Sequence, residues 1–396
     1  MKTKLRKAVL ALGFMAVGWG LAGAAQAGAF ITNGTITLGV NDEGHLNVDP
    51  TDPEVVGTYP GVSLGGTAPV GLRFNSTNAE STAPGCLCEG WGAGIVSLGI
   101  SGYANRSVDG IVNLSLVSFS ATASTATSVV EILGTSGAPL LRVTHHYHPS
   151  ASPNLYQVDV TLQNLSGMDL AAGDVVYRRV MDWDVEPTAF SEFVTIQGVP
   201  ALLGIANGNN VRRTGNDGFD TANPLASSGG AFGVSGANPC SAADMLNKNF
   251  TDCGADDHGA VFDFEFEALA HGASRSFVIF YGAAGTEAEA DAARALVGAG
   301  LYSYGQCNPR FSSSCSPETG TPNTFIFAFG ATGGACWNPP LRPPVCPSRG
   351  PWPWWGWGSW GLPPFAPASG PEPIRLDPRP FPALLERGFC FPGPGR

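Results

Sequence analysis

The chain has 396 residues, with 32 Asp and Glu against 21 Lys and Arg, only 13% charged residues, 53 glycines and 32 prolines. An acidic balance of this kind repels phosphate backbones, which excludes nucleic acid as a partner. Low charge content with abundant Gly, Ser, Thr and Val excludes a predominantly helical protein and points to an all-β exported one.

Lys2, Lys4, Arg6 and Lys7 precede the apolar run Ala8–Leu21, and Ala25-Gln26-Ala27 supplies an A-x-A cleavage pattern. Residues 1–27 therefore read as a secretory signal peptide. A membrane span needs about 20 continuous apolar residues, and this run is short and glycine-broken, so no span is expected after cleavage. Removal takes four of the 21 basic residues and none of the acidic ones, leaving Lys248 as the one lysine. Such acidity suits calcium, or solubility outside the cell.

All nine cysteines lie in the exported part, where disulfides are the default. Cys240 with Cys253, Cys307 with Cys315, and Cys336 with Cys346 are sequence-local staples, although spacing leaves connectivity open. Cys86-Leu87-Cys88 closes either a small ring or two distant pairs. Without a CxxC pair, no cysteine zinc site is expected.

From Ala29 onward, short β-like runs alternate with turn residues. Ile36–Val40 and Leu46–Val48 flank Asn41-Asp42-Glu43-Gly44 as a hairpin. Val70–Phe74, Gly94–Ile100, Val108–Phe119, Ser128–Leu133, Leu140–His146, Tyr156–Leu165, Val175–Trp183 and Phe193–Gln197 follow as strands. Residues 205–258 are Gly/Asn/Asp-rich and read as a long loop insertion. Ala260–Leu269 and Arg275–Tyr281 resume the strands. Glu287–Val297 is the one good helix, opened by a capping box at Thr286 and ended by Gly298, and Thr324–Phe329 is a closing strand. The spacing predicts one large antiparallel β-sandwich over residues 28–335. Residues 336–396 hold most of the Pro/Trp clusters, including PWPWWGWGSWG, and read as a disordered or polyproline-like tail.

The densest chemistry lies in VVYRRVMDWDVEPTAFSEFVTIQG, residues 175–198. As an extended strand it puts Arg178, Asp182, Asp184 and Glu186 on one face and Tyr177, Arg179 and Trp183 on the other. Three carboxylates in a row are costly unless a metal or arginines answer them. One reading is a Ca²⁺ site at Asp182, Asp184 and Glu186. A second is a carboxylate pair for glycoside chemistry, with Glu192 as a further acid. A third is a purely structural face in which Arg178 and Arg179 neutralise the acids over Trp183.

In Thr144-His145-His146-Tyr147-His148, His146 and His148 share a strand face; they bind Zn²⁺ or Cu²⁺ if a third ligand converges, act as acid and base, or simply end a strand. The turns Asn41–His45, Asn216–Asp220 and Asp252–His258 are oxygen-rich, and turn chemistry accounts for them. Trp91 and Trp183, with Arg178, Arg179 and Glu192, are candidates for a sugar-stacking site or, for the tryptophans, ordinary core. No G-x-S-x-G elbow is present.

The segments NGTITLGVNDEGHLNV, VGLRFNSTNAESTAPGCLCEGWG, RVTHHYHPSASPNLYQVDVTLQN, YRRVMDWDVEPTAFSEFVTIQG, FVIFYGAAGTEAEADAA and GTPNTFIFAFG resemble a family of exported bacterial β-rich proteins, some carrying C-terminal sorting signals. The resemblance spans roughly residues 32–330 and implies an exported bacterial β-protein without supplying an activity; the Pro/Trp tail departs from it. YQVDVTLQNLS is similar to the sugar-binding β-supersandwich of aldose epimerases and related glycosidase domains. The expectation is a secreted or cell-envelope binding module for glycan or a surface ligand, calcium-stabilised. A carbohydrate-active enzyme, glycosidase or epimerase in type, with His146 or His148 assisting is the alternative. A structural surface protein whose tail makes the contacts is the third.

Overall fold

The computed structural model describes residues 27–227 and 229–330. Strands β1 (Ala29–Thr32), β2 (Ile36–Val40), β3 (Leu72–Phe74) and β4 (Ala79–Glu80) make a small antiparallel sheet in that order. Then come β5 (Gly90–Ile95), β6 (Ile100–Ala104), β7 (Ile111–Val112), β8 (Leu114–Ala121), β9 (Ala126–Leu133), β10 (Pro139–Pro149), β11 (Leu155–Asn164), β12 (Val175–Asp182), β13 (Glu192–Gln197) and β14 (Val211–Gly215). The chain finishes with α1 (Ala242–Met245), β15 (Phe250–Asp256), β16 (Gly259–Glu265), β17 (Ser274–Ala284), α2 (Glu287–Val297), β18 (Leu301–Gln306) and β19 (Thr324–Gly330).

Two larger sheets carry the fold. One is nine-stranded, in the order β15-β13-β18-β19-β17-β11-β10-β9-β8; the other is six-stranded, in the order β14-β16-β12-β5-β6-β7. Alternation along β9, β10 and β11 puts Val130, Val143, Tyr147, Val158 and Val160 inward and polar residues outward, as a sheet with one solvated face requires. Phe262 and Phe264 of β16 meet Phe277, Phe327 and Phe329 of the facing sheet with ring centroids 4.8–5.7 Å apart, so the main core lies between the two sheets. This is the expected all-β sandwich.

On the far side of the nine-stranded sheet, Val278, Phe280 and Ile326 are covered by Ala290, Ala293 and Val297 of α2. The Thr286 hydroxyl accepts from the Glu289 backbone N–H, while Glu289 reaches back to the Gly285 N–H, and Gly298 ends the helix at φ 68°.

Several expectations about elements change. Gly94–Ile100 is not one strand: a short 3-10 turn at Val96–Leu98 and left-handed Gly99 reverse the chain into β6. Asn113, at φ 51°, divides the long strand expected across residues 108–119. Residues 205–258 are not only loop, because β14 and β15 cap the edges of the two large sheets; their Gly/Asn content hid them. β18 is a central strand with no clear apolar alternation in Leu-Tyr-Ser-Tyr-Gly-Gln, so no strand is expected there from sequence. The tail and Cys336 with Cys346 lie outside the described residues. Cys240 with Cys253 and Cys307 with Cys315 stand at disulfide distance, and Cys86 and Cys88 lie side by side.

Gly305 of β18 shows how closely the layers approach. A Cβ there would stand 2.6 Å from the Trp183 ring. Gly305→Ala is expected to lower the unfolding free energy by about 1–3 kcal/mol through overpacking. Urea denaturation checks this, and an unchanged midpoint would mean that Trp183 does not pack against β18.

Candidate functional site

Strand β12 pairs between β16 and β5 in the six-stranded sheet and is buried on both faces, because Phe277 of the nine-stranded sheet covers Tyr177 on one side and the Thr221–Ala222 segment covers Arg178 and Val180 on the other. Its side chains alternate as extended geometry demands. Arg178 points outward, where its Nε and Nη2 donate to Asp263 at 2.6 and 2.8 Å and its Nη1 donates to the Thr221 carbonyl. Asp220 stands 3.5 Å away.

Arg179 points inward, into a fully enclosed polar knot. Its Nε donates to Glu89 at 2.6 Å, Nη2 to Tyr147 and Nη1 to Tyr177 and the Gly44 carbonyl. Glu89 also accepts from the Tyr281 hydroxyl at 2.7 Å and from the Leu46 N–H at 2.6 Å. Tyr147 donates to Gly44, Tyr177 and His145 share a hydrogen bond of 2.9 Å, and Trp91 donates to the Glu43 carbonyl. The knot therefore binds the Asn41–His45 turn of the small sheet to both large sheets. Burial first, and then the Arg179 charge, hold His145 well below the usual histidine range, so its imidazole is neutral. Burial and the same guanidinium push His45 down to about 3.

Both arginines are thus spent on other partners. The expectation that they neutralise Asp182 and Asp184 is corrected: each answers an acid distant in sequence, Asp263 or Glu89, that strand alternation alone does not reveal. Glu186 also leaves the proposed trio. Its carboxylate accepts from the Ser63 hydroxyl and from the Glu80 backbone N–H, because the chain turns away from the strand direction after β12. The two-residue periodicity that joins Asp182 to Glu186 on paper ends at Asp182.

What gathers instead is Asp182, Asp184 and Asp257, with one oxygen of each within 4.8 Å of the others. Asp257 sits between β15 and β16, strands that pair with β13 and β12. Glu192, at the start of β13, is close enough for its charge to feel all three. Asp182 is 1% exposed, and Asp184 and Glu192 are 0% exposed. Asp182 Oδ1, both Asp184 oxygens, Glu192 Oε2 and Asp257 Oδ1 have no hydrogen-bond partner. The other Glu192 oxygen accepts from the Val185 N–H at 3.1 Å. The Phe190 N–H lies near enough to Asp184 to lower its pKa slightly but not in hydrogen-bonding geometry.

Unanswered burial of this kind is expensive for carboxylates. Burial first, and then Asp182 and Asp257, push Asp184 up to about 9. Burial also holds Asp182 and Glu192 well above the ordinary range, with neighbouring acids adding to it. A group whose pKa is raised on folding binds more protons folded than unfolded. Its stabilising contribution is complete below the unfolded value, about 4 for Asp and Glu, and is lost as pH climbs toward the folded value. In chelator, the urea midpoint is therefore expected to fall between about pH 5 and pH 8, a window inside that range. A midpoint that stays level or rises across the window would contradict the cluster.

The two tryptophans are core. Trp91 is 0% exposed, lies parallel to Tyr177 and packs on His145; Trp183 is 0% exposed, packs on Phe325 and donates to Ser303. Neither presents a ring face to solvent, as the core reading of these residues anticipated.

Two further groupings lie elsewhere. His146 and His148 of β10 meet Asp159 of β11 on the outer face of the nine-stranded sheet. Burial, and then the His148 charge, lower the His146 pKa. A polar cleft of about 270 Å³ opens over the knot, lined by Asn41, Glu43, His45, Glu54, Asn105 and Arg106 among others. In it, Glu43 is pushed up to about 8 by burial and then by Asp42. Sequence reading did not single out Glu89, Asp159 or Asp263; it noted Asp257 only as part of an oxygen-rich turn. Cross-strand register was the missing signal.

No family model matches the chain, and no curated protein does. Among solved structures, an aldose 1-epimerase-like protein of Escherichia coli K12 is similar at 12% identity over 77% of this chain and 88% of its own, with a TM-score of 0.29. A superposition that loose fixes neither topology nor chemistry.

Proposed function

We propose that this is an exported, non-catalytic binding module whose folded state includes one hard divalent cation, calcium by the nature of its donors. The cation is held by Asp182, Asp184, Asp257 and Glu192. The observation that carries this reading is the convergence of Asp182, Asp184 and Asp257, with Glu192 near enough to feel their charge, each of the four leaving at least one carboxylate oxygen without a hydrogen-bond partner. Calcium takes oxygen ligands only, in flexible geometry, and a bound dication offsets the burial and mutual repulsion that otherwise raise these pKa values. Asp257 is half-buried and gives the ion an entry path.

The same burial argues against glycoside chemistry at these acids, since a substrate must touch its acid and base. The cleft over the knot is lined by none of Asp182, Asp184, Glu186 and Glu192. The disulfides among the described residues suit an oxidising compartment, and the leader-like N-terminus supports export. The ligand class proposed is glycan or another surface component, met at the cleft beside Arg106, where amide, carboxylate and guanidinium groups suit hydroxyls.

The test is calorimetric titration of Ca²⁺ into the chelator-treated chain lacking residues 1–27. One ion per chain is expected, with that binding lost in Asp182→Asn/Asp184→Asn. No heat at millimolar calcium would reject the cation. A glycan screen tests the ligand class separately, with Arg106→Ala as the cleft variant expected to lose the signal.

A further inference from the structure

The outer face of the nine-stranded sheet holds a set of donors of a different kind. His146 and His148 are two apart on β10, and their rings lie 5.0 Å apart between centroids. His146 is directly opposite Asp159 of β11 in the sheet register. One ligand atom from each of the three lies within 4.8 Å of the others. All three are half-buried, so an ion could reach them from solvent.

The hydrogen bonds orient them further. His148 Nδ1 is 2.9 Å from the Pro149 carbonyl, and a carbonyl only accepts, so Nδ1 carries the proton. His148 Nε2 is then directed at Asp159 Oδ2, 3.2 Å away. A neutral imidazole in that tautomer would set a lone pair against a carboxylate oxygen, which repel unless a proton or a cation stands between them. Asp159 Oδ1 accepts from Gln157 Nε2 at 2.7 Å, which holds the carboxylate in place. A backbone carbonyl on the distal imidazole nitrogen and an amide on the carboxylate are the supports that metal-binding histidines and carboxylates ordinarily have.

We propose that His146, His148 and Asp159 form a second metal site, selective for a borderline divalent transition metal of the Zn²⁺ type and independent of the carboxylate cluster. Two imidazoles and one carboxylate suit Zn²⁺ and its neighbours, whereas calcium prefers an all-oxygen set. Three protein ligands on an open sheet face leave a coordination position for water or an exogenous ligand. Gln157 and the Pro149 carbonyl act as positioning groups.

The experiment uses the untagged chain lacking residues 1–27, held in excess calcium so that the carboxylate cluster is occupied. Zn²⁺ is titrated by calorimetry, and Co²⁺ is used as an optical probe. One Zn²⁺ per chain is expected, with Co²⁺ giving absorption typical of low-coordinate nitrogen and oxygen ligation. His146→Ala and His148→Ala are expected to abolish that binding, and Gln157→Ala to weaken it by about 10- to 100-fold. His271→Ala, at the Gly167 turn away from β10, should leave it unchanged. Because the three ligands face outward, circular dichroism should show each variant folded. For any variant that is not, His148→Gln replaces it. The proposal is overturned if Zn²⁺ does not bind, or if it binds equally well to folded His146→Ala and His148→Ala.

Discussion

Glu89→Ala is expected to lower the unfolding free energy by about 3–5 kcal/mol, the cost of stranding one member of a buried ion pair. Glu89 and Arg179 are both 0% exposed. Without the carboxylate, the guanidinium keeps as hydrogen-bond acceptors the Gly44 carbonyl and the Tyr147 and Tyr177 hydroxyls, and it still faces the Tyr281 ring, none of which carries charge. The Tyr281 hydroxyl and the Leu46 N–H lose their acceptor at the same time. Against a total stability of roughly 5–15 kcal/mol for a domain, the loss is large. Urea denaturation followed by tryptophan fluorescence reads it directly, because Trp91 packs on this knot. Glu89→Gln, which keeps the shape and one acceptor, should lose less. A change below about 1 kcal/mol for the alanine variant, the range of exposed pairs, would mean the knot is solvated in solution.

Asp182→Asn/Asp184→Asn should change sign with the metal. In chelator the variant is expected to melt above the wild type, because two amides replace two carboxylates that burial and mutual repulsion destabilise. In calcium the order should reverse. A ligand at 100 times its dissociation constant adds about 2.7 kcal/mol to the form that binds it. At roughly 2–4 °C per kcal/mol for a domain of this order, the wild type should gain about 5–10 °C and the variant nothing. A variant less stable than wild type in both conditions would make these acids ordinary structural residues. Melting curves identical with and without calcium would leave the cluster unmetallated.

The central strand shows how much was legible. Alternation along residues 175–183 correctly put Arg178 and Arg179 on opposite faces, and both faces are interior because the nine-stranded sheet covers one and the Thr221–Ala222 segment the other. Which acids the arginines answer was not legible, since Glu89 is 90 residues away and Asp263 is 85. The same limit applied to the metal-binding candidates. Local spacing placed Asp182 beside Asp184, yet the third and fourth carboxylates came from β13 and from the turn between β15 and β16. Periodicity carried Glu186 into the group although the expected strand stopped at Trp183 and Pro187, which cannot donate to a ladder, follows directly. His146 and His148 were visible as a pair, and Asp159 became their partner only through the β10–β11 register. Helix α2 was legible to the residue because its cap and its terminating glycine are local signals.

The most direct measurement is an anomalous-difference map from a crystal grown in calcium and, in parallel, in manganese. The predicted result is one peak among the carboxylates of Asp182, Asp184, Asp257 and Glu192, about 2.3–2.6 Å from their oxygens with calcium. No density at that position under saturating calcium, with the four side chains still converging, would contradict the account.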